Sequence, residues 1–504
     1  MQTNSQKEIT ELKEISVLRK MIFPVMNWEL PKFVPMAMII FLTIFNFTML
    51  RTIKDAFVVP NTGAETLAYI KAGLVLPLSI IGSLIYINIR TKISFEKTYY
   101  IVVSTFLTFF WLFWVLLYPN MDNLHMSHDH IVALQKGYPQ FRFVFPIIGK
   151  WIYALYYAFA ELWGSFCLSV LFWQFANDNC GPHESKRFYP LFILFGNIAN
   201  FTLSFFTEHL GTLETSKIVE EASEMTIFTG ILMMLLFRWL NTSILSQNKY
   251  TADVIVRKKK KKMAFGDSLR HLMKSKYIMY IAILILSYGI TTSLIEQTWK
   301  AEVRSIYSTS QQWLGFMTFY QRALAIASIV FVYISKGVIS HFGWLTCALI
   351  TPICLGFTGI VFFTYIIFDQ SLAGFISALL LDPVLFASWF GGIGVLLSKS
   401  AKYSFFDPTK EMSFIPLEDD LRVSGKAAAD GVGARLGKSA GGLIQIGLFT
   451  IFPLSTQHSI APFLWVMVII LSVLWLYSVF QLNGLYIKKS NEAMQESEAE
   501  QAKA

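Results

Sequence analysis

The sequence predicts an all-α membrane protein of about twelve transmembrane helices in two six-helix halves. Hydrophobic residues make up 54% of the 504-residue chain and charged residues only 15%, whereas soluble domains carry roughly a quarter charged residues. Apolar runs of about 20 residues, the length that crosses a bilayer core, recur along the chain. One basic segment, 242–277, leaves six of these runs on each side.

The individual spans follow from run length and hydropathy. Two runs, the fourth and the tenth, exceed one straight crossing, which predicts tilt or a helical extension. The predicted spans are 33–53, 69–89, 99–118, 143–173, 188–207, 225–241, 278–297, 313–334, 343–367, 371–399, 437–455 and 460–482.

The domain plan has the organisation of major-facilitator-like carriers, with a basic loop between two halves. The central loop contains five consecutive lysines, Lys258 to Lys262, interpreted as a topogenic, lipid-facing patch rather than a nucleic-acid site. The predicted parts are a cytoplasmic N-terminal segment 1–32, a first half 33–241, a linker 242–277, a second half 278–482 and a cytoplasmic tail 483–504.

The orientation follows from the basic residues. With the N-terminus inside, 31 of the 42 Lys and Arg residues fall on inner segments and 9 on outer ones. Because cytoplasmic loops of membrane proteins carry this excess, both termini are predicted to be cytoplasmic.

Charged residues inside the spans are the strongest functional signal, because they are costly in a bilayer and usually face a polar cavity. Arg51 and Lys54 lie at the outer end of the first span and fit either an anion-attracting mouth or interfacial snorkelling. Glu161 lies deep in the apolar run WIYALYYAFAELWGSF, where it needs a partner or water; a structural ion pair between helices is the alternative.

Two further charges lie in the second half. Glu296 comes near the outer end of the seventh span, four residues before Lys300, so an i,i+4 helix pair is the alternative to a functional role. Arg322 lies within the eighth span, where phosphate binding and pairing with a glutamate are both open.

A polar, glycine-rich segment precedes the eleventh span. Its end resembles a phosphate-binding P-loop, but Val432 stands where that motif needs glycine. Lys438 near a helix N-terminus is nevertheless suited to holding a phosphate. The alternative is a tightly packed helix start with a topogenic lysine.

Catalytic and metal chemistry are not indicated. The segment HMSHDH, from His125 to His130, is interpreted as an ordinary loop because no other residues complete a metal site. The chain has no positioned nucleophile, so no enzyme activity, cofactor or metal is expected.

Five separated segments resemble the ATP/ADP translocases of obligate intracellular bacteria and plastids, most closely the rickettsial and chlamydial members. The resemblance covers most of the chain in order, with one departure, Ala440, where many relatives are expected to have glycine. The segments are FNFTMLRTIKDAFVV, ELWGSFCLSVLFWQFAN, SLIEQTWK, KYSFFDPTKEMSFIPL and GKAAADGVGARLGKSAGG.

The resemblance implies exchange of external ATP for internal ADP, with or without phosphate, at a bacterial inner membrane. It places the family's essential charges on Lys54, Glu161, Glu296 and Lys438. Carriers of other nucleotides such as GTP, CTP or UTP, some proton-coupled, share the family and remain the alternative.

The mechanism expected from these charges is an exchange of partners. Lys54 and Lys438, with Arg322, are predicted to hold phosphates, and the glutamates to pair with these groups when no nucleotide is bound. Aromatic residues around Tyr153 to Tyr157 are candidates for stacking on the base. The expected partners are the nucleotide, phosphate and the bilayer, with no nucleic acid and a monomeric carrier.

Overall fold

A computed structural model describes residues 23–246, 275–417 and 433–501. The pentalysine at 258–262 and most of the glycine-rich segment before the eleventh span lie outside these ranges. Within them the chain is nearly all helical, without a β-strand. The principal helices are α1 (Leu30–Thr62), α2 (Thr66–Lys92), α3 (Phe95–Leu117), α4 (Trp151–Asn179), α5 (Pro182–Gly211), α6 (Thr215–Leu245), α7 (Lys276–Ile306), α8 (Ser310–Ile339), α9 (His341–Ile367), α10 (Pro383–Ala401), α11 (Ala434–Ile451) and α12 (Ala461–Gln501).

The predicted all-α membrane architecture is confirmed. Ten helices in the described ranges, α1 to α9 and α12, are long and apolar enough to cross a membrane. The other two predicted spans correspond to α10 and to α11, whose apolar part, Ser439–Ile451, is shorter.

Glycines in the left-handed region separate two pairs of helices. Gly63 (φ 107°) lies between α1 and α2, and Gly343 (φ 74°) bends the chain close to the start of α9. A side chain at either position would strain the backbone.

The tenth span differs from its predicted range, 371–399. The chain forms a short helix, Asp369–Ala378, and a turn in which Leu380 has φ 60°. Helical structure then continues from Pro383 to Phe414, with a π-helical section over Lys402–Phe406. Hydropathy ends the span at residue 399 because the segment KYSFFDPTKE that follows is rich in polar residues, although the helix continues through it.

A buried charge network ties the start of α1 to the start of α5. The two guanidinium nitrogens of Arg187 donate to the two carboxylate oxygens of Glu29 at 2.6 and 2.7 Å. Lys32 contacts Glu184 at 2.7 Å, and Glu29 itself is 0% exposed. Such bidentate, charge-assisted bonds fix geometry as well as charge.

The chain divides into two compact units. The first is Met1–Asp55, Pro77–Leu124 and Leu155–Lys259; the second is Ala56–Leu76, His125–Ala154 and Lys260–Ala504. Within the second unit, Ser310 donates through its hydroxyl to the carbonyl of Ala56 at 2.9 Å. The sequence-based division at 241 and 278 stays a prediction.

Candidate functional site

Lys54 is the centre of a buried charge cluster in the first unit. Its ammonium lies 2.8 Å from a carboxylate oxygen of Asp55 and 3.0 Å from one of Glu161. The Lys54 side chain is 1% exposed, whereas that of Glu161 is 29% exposed. The ammonium also lies 3.7 Å from the ring centroid of Tyr157, within cation–π range. Of the three acidic and aromatic partners, Glu161 is thus the one that solvent or a solute reaches most easily.

A close approach of α1 and α4 sets this geometry. A Cβ on Gly164 would lie 2.2 Å from a ring carbon of Phe47, so any larger residue there would force Phe47 or the backbone to move. One turn earlier in α1, the carbonyl of Thr43 accepts a hydrogen bond from the indole N–H of Trp163 at 3.2 Å. From Gly164 the helix is π-helical to Phe172, a form often found at functional sites.

Glu296 is the centre of a second cluster, in the second unit. Its Oε1 lies 3.5 Å from the ammonium of Lys300 and 3.3 Å from that of Lys399. The Lys300 contact is the i,i+4 pair that the sequence suggested as an alternative. Lys399, on α10, is an additional partner that reaches Glu296 across the helix interface.

The interface between α7 and α10 is held by Trp299. Its indole N–H donates to the carbonyl of Ser388 at 2.8 Å. A Cβ on Gly391 would lie 2.8 Å from the same indole and 2.6 Å from the ring of Phe362. The packing of the Trp299 indole against Gly391 therefore fixes the distance between α7 and α10, and with it the distance between Lys399 and Glu296.

Lys399 is the functional candidate that the sequence reading missed. It is the last residue of the predicted span 371–399, a position at which a lysine is ordinarily interpreted as a residue of the membrane edge. In the structure it lies in the middle of the helical run from Pro383 to Phe414 and its side chain is 14% exposed. The one indication in the sequence is the spacing of Lys399 and Lys402, because residues three apart lie on the same face of a helix.

Arg51, Arg322 and Lys438 are the other site residues predicted from the sequence. Arg51 on α1 and Arg322 on α8 are each half-buried. Lys438 lies in the second turn of α11, but its side chain lies outside the described part of the structure. A Cβ on the preceding residue, Gly437, would lie 3.3 Å from the Cα of Gly289, so α11 packs closely on α7 at this point.

A polar cavity of about 490 Å³ lies elsewhere in the second unit. Its walls include Glu65, Glu302, Arg304 and His458. Arg304 donates to the carbonyl of Pro60 at 3.4 Å, and His458 lies 3.8 Å from a carboxylate oxygen of Glu302. This cavity contains none of the six charges predicted from sequence.

Comparison with known proteins gives a consistent family assignment. A family model described as "TLC ATP/ADP transporter" matches residues 8–486. The "ADP,ATP carrier protein 1" of Rickettsia prowazekii is 38% identical over 483 residues, covering 94% of this chain and 96% of that protein. The "ADP,ATP carrier protein 3" of Rickettsia bellii is 37% identical over 492 residues, covering 93% and 97%.

Solved structures share the fold at low sequence identity. The nucleoside transporter NupG matches with a TM-score of 0.51 and 13% identity, covering 89% of this chain and 99% of that one. A bacterial homologue of the iron transporter ferroportin, in an inward-facing state, matches at 0.50 and 11%, covering 92% and 100%. The predicted major-facilitator-like fold class is confirmed by this likeness.

Proposed function

The chain belongs to the TLC ATP/ADP transporter family, and from that membership we propose that it exchanges external ATP for internal ADP by alternating access. The relatives that carry the name ADP,ATP carrier are similar over nearly their whole length. The transporter fold supplies the scaffold for alternating access.

The observation that carries this proposal is the contact between Lys54 and Glu161. A buried lysine that contacts a partly exposed carboxylate is a ready-made anion site, because a phosphate oxygen can replace the carboxylate oxygen. ATP carries about four negative charges and ADP about three, and a charge in a dry site costs several kcal/mol unless paired. Partner exchange therefore lets a polyphosphate enter without leaving Lys54 unpaired.

Glu296 plays the corresponding part in the second unit. Its carboxylate pairs with lysines in this structure, which supports a gating role like that of Glu161. We assign phosphate binding to Lys54 and Lys438, with Arg322 as a further cation. The carrier reorients slowly when its own charges pair with one another and quickly when a nucleotide is bound. Each nucleotide carried in one direction must therefore be followed by another in the opposite direction, which is obligate exchange.

The setting of the proposed exchange is a bacterial inner membrane, with both termini cytoplasmic. The chain acts as a monomer, with no phosphoryl transfer, cofactor or metal in the cycle. Homology to carriers supports transport rather than catalysis.

Uptake of labelled ATP, GTP and CTP into proteoliposomes, with and without trapped ADP, tests the proposal. We expect ATP uptake that depends on trapped ADP and little uptake of GTP or CTP. Uptake driven by a pH gradient without internal nucleotide would select a proton-coupled carrier instead. Lys438→Ala is expected to lose uptake while inserting normally into the membrane.

A further inference from the structure

Two lysines share a single carboxylate oxygen in the second unit. The ammonium groups of Lys399 and Lys300 lie 3.3 and 3.5 Å from the same Oε1 of Glu296. Both distances exceed the 2.7 Å of Lys32 to Glu184 and the 2.8 Å of Lys54 to Asp55. Charge-assisted N–H···O bonds usually span about 2.7–2.9 Å, so one carboxylate oxygen fits the space between these two ammonium groups loosely.

The site is built rather than formed by chance at a surface. The side chains of Lys300, Glu296 and Lys399 are 4%, 12% and 14% exposed. The Lys399 ammonium lies 5.8 Å from the ring centroid of Tyr320 on α8, and Tyr320 packs at 4.8 Å on Trp299. Three helices therefore hold the two ammonium groups in place.

We propose that Lys399 and Lys300 form a subsite for a phosphoryl dianion, and that Lys399 is a specificity-determining residue of the carrier. The proposal rests on the proposed function for its choice of nucleotides. In this subsite a phosphoryl group replaces the Glu296 carboxylate between the two lysines.

A phosphoryl group suits the two lysines better than a carboxylate does. It offers three strong acceptor oxygens and up to two negative charges. Each lysine can then bond to an oxygen of its own at the normal distance of about 2.7–2.9 Å.

Two sources supply this chemistry. The first is the terminal phosphate of a nucleoside triphosphate, in which case Lys399 distinguishes ATP from ADP. The second is free orthophosphate that travels with the diphosphate. In both cases the subsite recognises a phosphoryl group and not the base or the sugar.

Isothermal titration of the purified full-length protein with ATP, ADP and orthophosphate tests the subsite directly. If the terminal phosphate of ATP occupies the subsite, Lys399→Gln should lower the affinity for ATP by about tenfold more than the affinity for ADP. This is the loss expected for one charge-assisted hydrogen bond. If orthophosphate is the occupant, its binding falls by about tenfold while the ATP-to-ADP ratio is unchanged. Either result supports the subsite.

Lys402→Gln is the matched control. Lys402 lies one helical turn away and is paired with Asp407 at 2.9 Å, so its loss also removes a partly buried lysine from the same helical run. We expect its ATP-to-ADP ratio and orthophosphate affinity to match the wild type. Lys399→Arg is expected to recover most of the lost selectivity, and Glu296→Gln to shift it in the opposite direction to Lys399→Gln.

The subsite is overturned if Lys399→Gln leaves both the ATP-to-ADP ratio and orthophosphate affinity unchanged, whatever the overall affinity. It is also overturned if the wild type binds none of the three. Failure of ATP/ADP exchange in proteoliposomes, with Lys399-dependent binding intact, would reject the proposed function alone, because binding and transport are measured separately.

Discussion

The ammonium of Lys54 lies 3.0 Å from a carboxylate oxygen of Glu161, which joins α1 to α4 inside the first unit. Asp55 contacts the same ammonium from the adjacent position on α1 at 2.8 Å. Removal of Glu161 therefore leaves Lys54 with a buried counter-ion, whereas removal of Lys54 takes away the cation that Asp55 and Glu161 both contact.

Lys54→Ala is expected to reduce exchange of labelled ATP to background, because the variant loses the proposed phosphate ligand. Glu161→Gln is expected to keep uptake but change its affinity or exchange rate, since Asp55 still pairs with Lys54. Both are measured in proteoliposomes, with protein amount and membrane insertion quantified in parallel.

Lys217→Ala is the matched control for these variants. Lys217 contacts Glu220 at 2.6 Å, but its side chain is 59% exposed, and such surface pairs contribute little to stability because water screens them. Transport by Lys217→Ala should equal that of the wild type. Wild-type exchange in Lys54→Ala would refute the phosphate role of Lys54.

Gly164→Ala is expected to destabilise the protein by about 1–3 kcal/mol, because overpacking forces side chains or backbone to move. The added Cβ would lie 2.2 to 2.9 Å from three ring carbons of Phe47. Thermal unfolding in detergent measures the effect. Adding Phe47→Leu to Gly164→Ala should recover part of the loss.

The same change at Gly73, on α2, is the comparison. A Cβ there meets no atom within 4 Å, and alanine favours a helix by up to about 1 kcal/mol over glycine. Gly73→Ala should therefore be neutral or stabilising. Equal melting temperatures for Gly164→Ala and the wild type would show that Phe47 yields without cost.

The sequence predicts the isolated charges well, because the cost of burying a charge is a local property. Glu161 and Glu296 stand out in apolar runs, and the structure gives each a lysine partner. The identity of that partner depends on helix register, which no local rule supplies. Lys399, the last residue of the predicted span 371–399, is therefore not recognisable from sequence as a partner of Glu296, which it contacts from the middle of a long helical run.

The role of Gly164 was equally beyond a local reading. A glycine beside Trp163 in a span fits close packing in general, but only the position of Phe47 on α1 shows what it packs against. Span lengths were predictable where hydropathy is uniform. They were not where polar residues continue a helix, as they do from Lys402 to Phe414.

Glu29→Gln is expected to destabilise the protein by about 3 kcal/mol, because breaking a buried ion pair leaves the partner charge uncompensated. Glu29 is 0% exposed and accepts two bonds from Arg187. The free energy of unfolding in detergent, from denaturant titration, measures the loss. Glu220→Gln, in the exposed pair with Lys217, should leave stability nearly unchanged. A Glu29→Gln variant as stable as Glu220→Gln would contradict a structural role for the network.

The contact of His458 with Glu302 predicts a pH dependence in the loop before α12. The Glu302 carboxylate, 3.8 Å from the His458 ring, raises the pKa of His458 above its usual value of 6.5, against an opposing effect of burial, and Asp369 adds a smaller attraction. Glu65 and Arg304 line the same cavity.

Because the folded-state pKa of His458 is higher than its unfolded value, the stabilisation from the charged His458 is fully present below pH 6.5. It is lost as the pH rises through the folded-state pKa. Because the His458 side chain is 51% exposed, this stabilisation is at most about 1 kcal/mol.

Melting temperatures of the wild type should therefore fall slightly relative to those of His458→Gln between pH 6 and 8. Glu302→Gln should abolish this difference. A wild-type melting temperature that rises relative to His458→Gln over that interval would mean that His458 is stabilised in its neutral form, against the observed geometry.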